Sequence, residues 1–73
     1  MIFSIELDRE VDGRWIAEVV AREMADFPGI LIYGETREEA VAKAEAAALR
    51  VLADLVETMG PGAPTSVSFA VAA

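Results

Sequence analysis

The chain of 73 residues is long enough for one domain, and a domain of this size buries only about 60% of the surface that its unfolded form exposes. Its formal net charge of −7 disfavours direct binding to DNA or RNA, because that affinity depends largely on neutralising phosphates with Lys and Arg. The absence of Cys and His removes disulfides, soft metal sites and the usual general base near neutral pH, so we expect no cofactor and no metal. An acidic surface favours encounter with a basic protein instead.

The sequence lacks the features of a membrane or secreted protein. No apolar run reaches the roughly 20 residues of a membrane span, and Met1 leads directly into a strand pattern without a basic leader region. We therefore expect a cytoplasmic protein. The chain has no Asn and no Gln, and five of its six basic residues are Arg. Scarce amides are typical of heat-adapted proteins, although a biased genome gives the same composition.

The first part of the chain is predicted to form a β-hairpin. Ile2 to Asp8 alternates apolar and polar residues, and Asp12-Gly13 is a strong turn motif before a second strand at about Arg14 to Val20. Glu18 is the residue of the second strand least suited to burial, so the face of the strand that carries Glu18 is expected to be exposed to solvent. The residues expected to face the core are Phe3, Ile5 and Leu7 from the first strand and Trp15, Ala17 and Val19 from the second.

A loop and a short third strand follow the hairpin. Arg22 to Gly29 contains charged residues and a Pro-Gly pair, which favours a loop. Ile30 to Tyr33 is β-branched and aromatic, which favours a strand. Four apolar residues have no periodicity that orients them. We expect Ile30 and Ile32 to face the helix, which places Leu31 and Tyr33 on the other side of the sheet.

The longest predicted element is a helix from Thr36 to Met59. Thr36 is a good N-cap, Glu39 three residues later completes a capping box, and Gly60-Pro61 ends the helix. The apolar positions recur at steps of three and four residues, which places them on one stripe that packs against a sheet. That stripe consists of Val41, Ala44, Ala48, Val51, Leu52, Leu55 and Met59.

The chain is predicted to be a single α+β domain, residues 1–73, with the order βββαβ. A rigid connector, residues 60–64, leads to a fourth strand, Ser66 to Ala72, which alternates again. If that strand lies beside the first, it runs parallel to it, and the strand order is 3-2-1-4. The single four-stranded, mostly antiparallel sheet then has the helix on one face and solvent on the other.

Part of this sequence is similar to the HicB-like antitoxins. In that family an aromatic residue or Leu precedes Pro-Gly, and a short strand, Gly, an acidic residue, Thr and Glu-Glu-Ala follow. The matching segment here is Phe27-Pro28-Gly29-Ile30-Leu31-Ile32-Tyr33-Gly34-Glu35-Thr36-Arg37-Glu38-Glu39-Ala40. The hairpin at 12–18 and the Ala-rich helix at 44–49 extend the resemblance to about residues 3–56. Most of these residues also have a folding role that any protein could use. The glycines suit backbone conformations closed to other residues, Thr36 and Glu39 cap the helix, and acidic residues in its first turn complement the helix dipole.

The resemblance implies a partial ribonuclease-H-like βββαβ fold and a non-enzymatic function. Such a domain binds and masks a small basic ribonuclease toxin of double-stranded-RNA-binding fold. Family members usually carry a further C-terminal DNA-binding domain that represses their own operon. We expect residues 1–73 to comprise the HicB-like domain only.

We expect a partner to bind the open face of the sheet. Apolar side chains rimmed by acids on an exposed surface commonly mark an association site. The candidate residues are Glu6, Asp8, Ile16, Glu18, Val20, Leu31 and Tyr33.

Two other hypotheses stay open. The domain could have no toxin partner and instead self-associate as a homo-oligomer, through the open face or through a second apolar flank of the helix. That flank consists of Ala42, Ala46, Leu49, Ala53 and Val56. The carboxylates Glu6, Asp8 and Glu18 could also serve a metal-assisted hydrolase, although such groups on a sheet are usually only a solvated surface.

Overall fold

Four strands form one mixed sheet, and one long helix packs against one of its faces. The computed structural model describes residues 1–24, 27–62 and 66–72. The strand order β3-β2-β1-β4 confirms the predicted topology, with β1 antiparallel to β2 and parallel to β4. The elements are β1 (Ile2–Arg9), β2 (Trp15–Val20), β3 (Ile30–Gly34), α1 (Arg37–Met59), a 3₁₀ turn (Gly60–Gly62) and β4 (Ser68–Val71).

Pairing between strands sets the exact ends of each strand. Trp15 pairs with both Arg9 and Gly34, which extends β1 and β3 by one residue beyond their predicted ends. The fourth strand is shorter than predicted, because its first residue, Ser68, already pairs with Ile2 at the start of β1. Residues 25 and 26 of the predicted loop and residues 63 and 64 of the predicted connector lie outside the described residues.

The β1–β2 turn forms as its Asp-Gly motif predicts. Gly13 has a φ of 93°, a conformation that residues with a Cβ rarely adopt. The amide of Glu10 donates to the carbonyl oxygen of Arg14 at 2.7 Å and closes the turn. The Asp12 carboxylate accepts from the backbone amide of Arg14 at 3.1 Å and from its Nε at 2.9 Å. These bonds lower the pKa of Asp12, and the bond from the backbone amide of Arg14 has the largest effect.

The helix begins with the predicted N-cap at Thr36, but the Glu39 carboxylate returns to the amide of Glu35 and not to that of Thr36 as in a capping box. Thr36 Oγ1 accepts from the Glu39 amide at 3.1 Å, and Glu39 Oε1 accepts from the Glu35 amide at 3.2 Å. The Lys43 ammonium lies 3.2 Å from the same carboxylate oxygen. The hydrogen bond from the Glu35 amide lowers the pKa of Glu39 most, and the ion pair with Lys43 lowers it further. At the other end Gly60 ends the helix with a φ of 63°.

A buried glycine brings α1 close to the sheet. A Cβ on Gly34 would lie 2.5 Å from the backbone nitrogen of Ala40 and 2.9 Å from its Cα. Ala40 is fully buried there, although it is not part of the predicted helix stripe. The first turn of α1 therefore rests on the end of β3 with no space for a larger residue at position 34.

The core lies between α1 and the inner face of the sheet. The ring of Phe3 stacks on Phe69 of β4 and meets Phe27 of the preceding loop, at centroid distances of 5.4 and 5.1 Å. The buried residues are Phe3, Ile5, Ala17, Val19, Ala21, Ala40, Ala44, Ala48 and Leu52. Leu7, Trp15 and Ile30 pack against this cluster and are half-buried, and the guanidinium of Arg9 lies 5.7 Å from the Trp15 ring.

One residue of the predicted helix stripe is outside the core. Met59 is 46% exposed, whereas Val41, Val51 and Leu55 are half-buried as members of the stripe. A helix of 23 residues is about 35 Å long, and the longest strand, with eight residues, spans about 26 Å. The last turn of α1 therefore extends beyond the sheet. The helix packs mainly on β3 and β2 and has few contacts with β1 or β4.

Candidate functional site

The open face of the sheet brings the predicted partner-binding residues into two rows. Glu6, Glu18 and Leu31 are neighbours across β1, β2 and β3. Asp8, Ile16 and Tyr33 form the next row, two residues along each strand. The face therefore changes from acidic at β1 to apolar at β3. Val20 lies at the other end, opposite Ser4, and so outside these two rows.

The three carboxylates concentrate negative charge on one part of this face. Glu6 and Glu18 are direct cross-strand partners, and like charges in that position repel. None of the ion pairs among the described residues includes Glu6, Glu18 or Asp8. The arrangement therefore leaves the repulsion uncompensated within the described part of the chain.

The apolar half of the open face is formed mostly by β3. Leu31 is 60% exposed and Tyr33 is 44% exposed, which confirms the expected orientation of this strand. Ile16 is half-buried between β1 and β3. The guanidinium of Arg14 lies 4.7 Å from the centroid of the Tyr33 ring, within cation–π distance. Arg14 is in turn held by Asp12, so the turn before β2 fixes one border of the apolar area.

A shallow hollow of about 310 Å³ lies between the acidic and apolar halves. Its lining includes Glu6, Asp8, Ile16, Glu18 and Leu31. Among the residues that the structure describes, no group of three or more acidic side chains is placed to hold a metal ion. The hollow places carboxylates on one side and apolar side chains on the other.

The second apolar flank of α1 is also largely accessible. Leu49 is 49% exposed and Val56 is 41% exposed, while Ala42 and Ala53 are exposed and Ala46 is half-buried. The Ala residues are accounted for by helix propensity. Leu49 and Val56 are the two side chains of this flank for which propensity gives no reason.

A groove between α1 and β4 was not predicted from the sequence. This groove of about 350 Å³ forms where the helix leaves β4 uncovered, and it is lined by Arg37, Glu38, Val41, Ala42, Glu45 and Val71. Val71 lies on the same side of β4 as Phe69, but it is 40% exposed. Alternation along a strand does not show how far across the sheet the helix reaches.

Comparison of the chain with protein-family models, with curated proteins and with solved structures gives no match. The interpretation of the open face therefore depends on its own residues and geometry. Within the described residues, no helix combines the length and the apolar character needed to cross a membrane.

Proposed function

We propose that this chain is a non-enzymatic protein-binding module of the HicB-like antitoxin kind, which acts in the cytoplasm by masking a small basic ribonuclease toxin. The observation that carries the proposal is the open face, where carboxylates that form no ion pair with the described residues lie beside exposed Leu31 and Tyr33. The choice of family depends on the resemblance of residues 27–40 to the HicB-like motif. The βββαβ order agrees with the fold expected of such a domain, although other α+β domains share that order.

Electrostatics favour a basic partner at this face. Bringing Lys or Arg from another protein between Glu6 and Glu18 would add two attractions that outweigh the repulsion between the two carboxylates. The net charge of −7 adds long-range steering toward a positive surface. The acidic half therefore contributes mainly to partner selection and association rate.

The apolar half would contribute most of the affinity. Exposed leucine and tyrosine side chains remove apolar area from water when a partner covers them, at about 25 cal/mol for each Å². Aromatic residues are enriched among the side chains that dominate interface energies. Tyr33 is already held against Arg14, so it loses little conformational freedom on binding.

Binding to a small basic protein encoded beside this chain tests the proposal. We expect the two proteins to co-purify and the ribonuclease activity of the partner to be inhibited. Leu31→Ala and Tyr33→Ala should each weaken binding by about tenfold or more, equivalent to about 1.4 kcal/mol. Leu49→Ala is the matched control, because it removes a similarly exposed apolar side chain from the helix flank.

Two results would contradict the proposal. One is failure of any such basic protein to bind or be inhibited. The other is loss of binding in the Leu49→Ala variant with normal binding in Leu31→Ala and Tyr33→Ala, which would move the interface to the helix.

The alternative is an interaction domain that has no toxin partner and associates with itself. The observation that favours it is the exposure of Leu49 and Val56 on α1, which an antitoxin acting through its open sheet face does not require. Under this alternative, Leu49→Ala lowers the solution mass of the protein, and no basic partner is bound.

A further inference from the structure

The outer edge of β4 has backbone groups without a strand partner among the described residues. β4 is the last strand in the order β3-β2-β1-β4. The amides of Ser68 and Ala72 donate to carbonyl oxygens of residues 1 and 5, at 3.0 and 2.9 Å. Successive residues of a strand direct their backbone groups to opposite edges, so those of Phe69 and Val71 point outward. These donors and acceptors suit the backbone of another polypeptide.

The groove between α1 and β4 lies beside these outward backbone groups. Val71, on the helix side of β4, forms one wall of the groove, and Val41 and Ala42 of α1 belong to the other. A strand added to β4 at the normal spacing of about 4.8 Å would direct every second side chain toward the helix side of the sheet. An apolar side chain at the position opposite Val71 would therefore enter the groove.

Carboxylates outnumber cations along the groove. Glu38 and Glu45 are seven residues apart on α1, which is two turns or about 10.5 Å along one side of the helix. Neither carboxylate forms an ion pair with the described residues. The Arg37 guanidinium also lines the groove, but it donates to the carbonyl oxygen of Ala72 at 3.3 Å. The groove therefore offers two carboxylates to a basic partner.

The other side of the β4 edge does not select either sign of charge. Glu6 and Arg22 lie together beside Ala70 on the open side of the sheet. Ser68 and Ala70 are small and exposed there. The charge of an added strand is therefore selected on the helix side.

We propose that the β4 edge and the groove bind an extended, basic segment of another protein as an added antiparallel strand. In this mode of recognition, backbone hydrogen bonds give affinity, and pockets for alternate side chains give specificity. The residue opposite Val71 exchanges two backbone hydrogen bonds with it and places an apolar side chain in the groove. The side chains two residues before and after lie about 7 Å away on the same face, where Lys or Arg approaches Glu38 and Glu45.

The chemistry of the site distinguishes this occupant from two others. A small apolar ligand would fill the groove but leave the outward backbone groups of Phe69 and Val71 without partners. A second copy of the chain would bring a further net charge of −7 to a groove that already contains two carboxylates. A basic extended segment satisfies the backbone groups and is attracted by both the groove and the whole molecule.

The added strand is independent of the proposed antitoxin function. β4 and β3 lie at opposite edges of the sheet, so a segment bound at β4 leaves Leu31 and Tyr33 accessible. Loss of peptide binding at β4 and loss of toxin binding at the open face are therefore separate results.

NMR titration of the full chain with a synthetic peptide tests the proposal. The probe is acetyl-Lys-Thr-Val-Thr-Lys-amide, which has the proposed order of basic and apolar side chains. We expect saturable binding at about millimolar concentration or below, with the largest shifts at the amides of Phe69 and Val71. The same peptide with Glu in place of both Lys residues is the matched control and should not bind. Methylation of the valine nitrogen should also abolish binding, because it removes the hydrogen bond to the Val71 carbonyl.

Variants of the chain test the two parts of the site separately. Glu38→Gln and Glu45→Gln should each weaken the basic peptide about two- to fivefold, whereas Glu57→Gln, at an exposed position outside the groove lining, should not. Val71→Pro removes an outward amide without removing a β1 bond and should abolish binding, while Val71→Thr keeps the amide and should bind.

Four results would overturn the proposal. They are absence of binding up to about 10 mM peptide, equal affinity for the acidic peptide, shifts confined to Leu31 and Tyr33, and affinity unchanged in both Glu38→Gln and Glu45→Gln. The glutamate variants keep this test decisive even if Val71→Pro fails to fold.

Discussion

Removing one carboxylate from the open face should make the protein more stable and its proposed partner complex weaker. Glu6 and Glu18 are cross-strand partners. The Cβ atoms of such partners lie about 5 Å apart, and we take about 6 Å as the separation of the two charges. Coulomb's law in water gives a repulsion of about 0.7 kcal/mol at that distance. Screening at physiological ionic strength, with a Debye length of about 8 Å, reduces it to about 0.3 kcal/mol. Glu18→Gln keeps the size of the side chain and removes this repulsion.

Urea denaturation at two salt concentrations measures the effect. We expect Glu18→Gln to raise the free energy of unfolding by about 0.3–0.7 kcal/mol at low salt. With an m-value near about 1 kcal/mol/M, the midpoint rises by about 0.3–0.7 M urea. At 1 M NaCl, where the Debye length is about 3 Å, most of the difference should disappear.

A double-mutant cycle provides the control. If Glu6→Gln and Glu18→Gln remove the same repulsion, each single variant stabilises the protein, and the double variant is about as stable as either single variant. The reasoning is refuted if the single variants lower the free energy of unfolding, or if their effects simply add and do not depend on salt. The same variants should lower affinity for a basic partner, so stability and binding change in opposite directions.

Three further predictions concern the start of α1. Thr36→Ala should cost about 1 kcal/mol of stability and Thr36→Ser almost nothing, measured by urea denaturation, because only the hydroxyl caps the helix. Gly34→Ala should destabilise by about 1–3 kcal/mol or prevent folding, because the added Cβ meets the backbone of Ala40, whereas Gly29→Ala meets nothing within 4 Å and should fold normally. The lowered pKa of Glu39 means that its contribution to stability is present above pH 4.5 and is lost as the pH falls through its folded-state pKa. Glu39→Gln should therefore reduce the loss of thermal stability on acidification below pH 4.5, and an unchanged acid dependence would contradict this.

The sequence predicted the elements whose cause is local. The cap at Thr36 and the Asp12-Gly13 turn depend on neighbouring residues, so both motifs could be recognised without tertiary contacts. Alternation assigned the faces of β1, and the single charged residue Glu18 assigned those of β2. The orientation of β3 was expected without a periodic pattern, and the exposure of Leu31 and Tyr33 confirms it. The candidate residues on the open face were therefore placed correctly, except that Val20 lies apart from the others.

The features that were missed depend on distances between elements. Met59 fits the helix period but lies beyond the sheet, since the period says nothing about the length of the surface that the helix covers. Ala40 was overlooked because small residues are weak markers of a core, and its burial follows from the contact with Gly34. The exposure of Val71 depends on α1 lying over β3 and β2 rather than β4, which no single segment specifies.

The distribution of side-chain sizes gives a physical reason to expect association. Of the nine buried hydrophobic residues among the described ones, five are Ala, and only Phe3, Ile5 and Val19 are large and fully buried. In the same part of the chain, eight large hydrophobic residues are exposed, including Leu31, Tyr33 and Leu49. The Ala stripe of α1 allows a close approach to the sheet, while Leu31, Tyr33 and Leu49 lie on faces that point away from this contact. Covering their apolar area would lower the free energy of the protein, so the proposed binding at the open face would use surface that this thin core leaves outside.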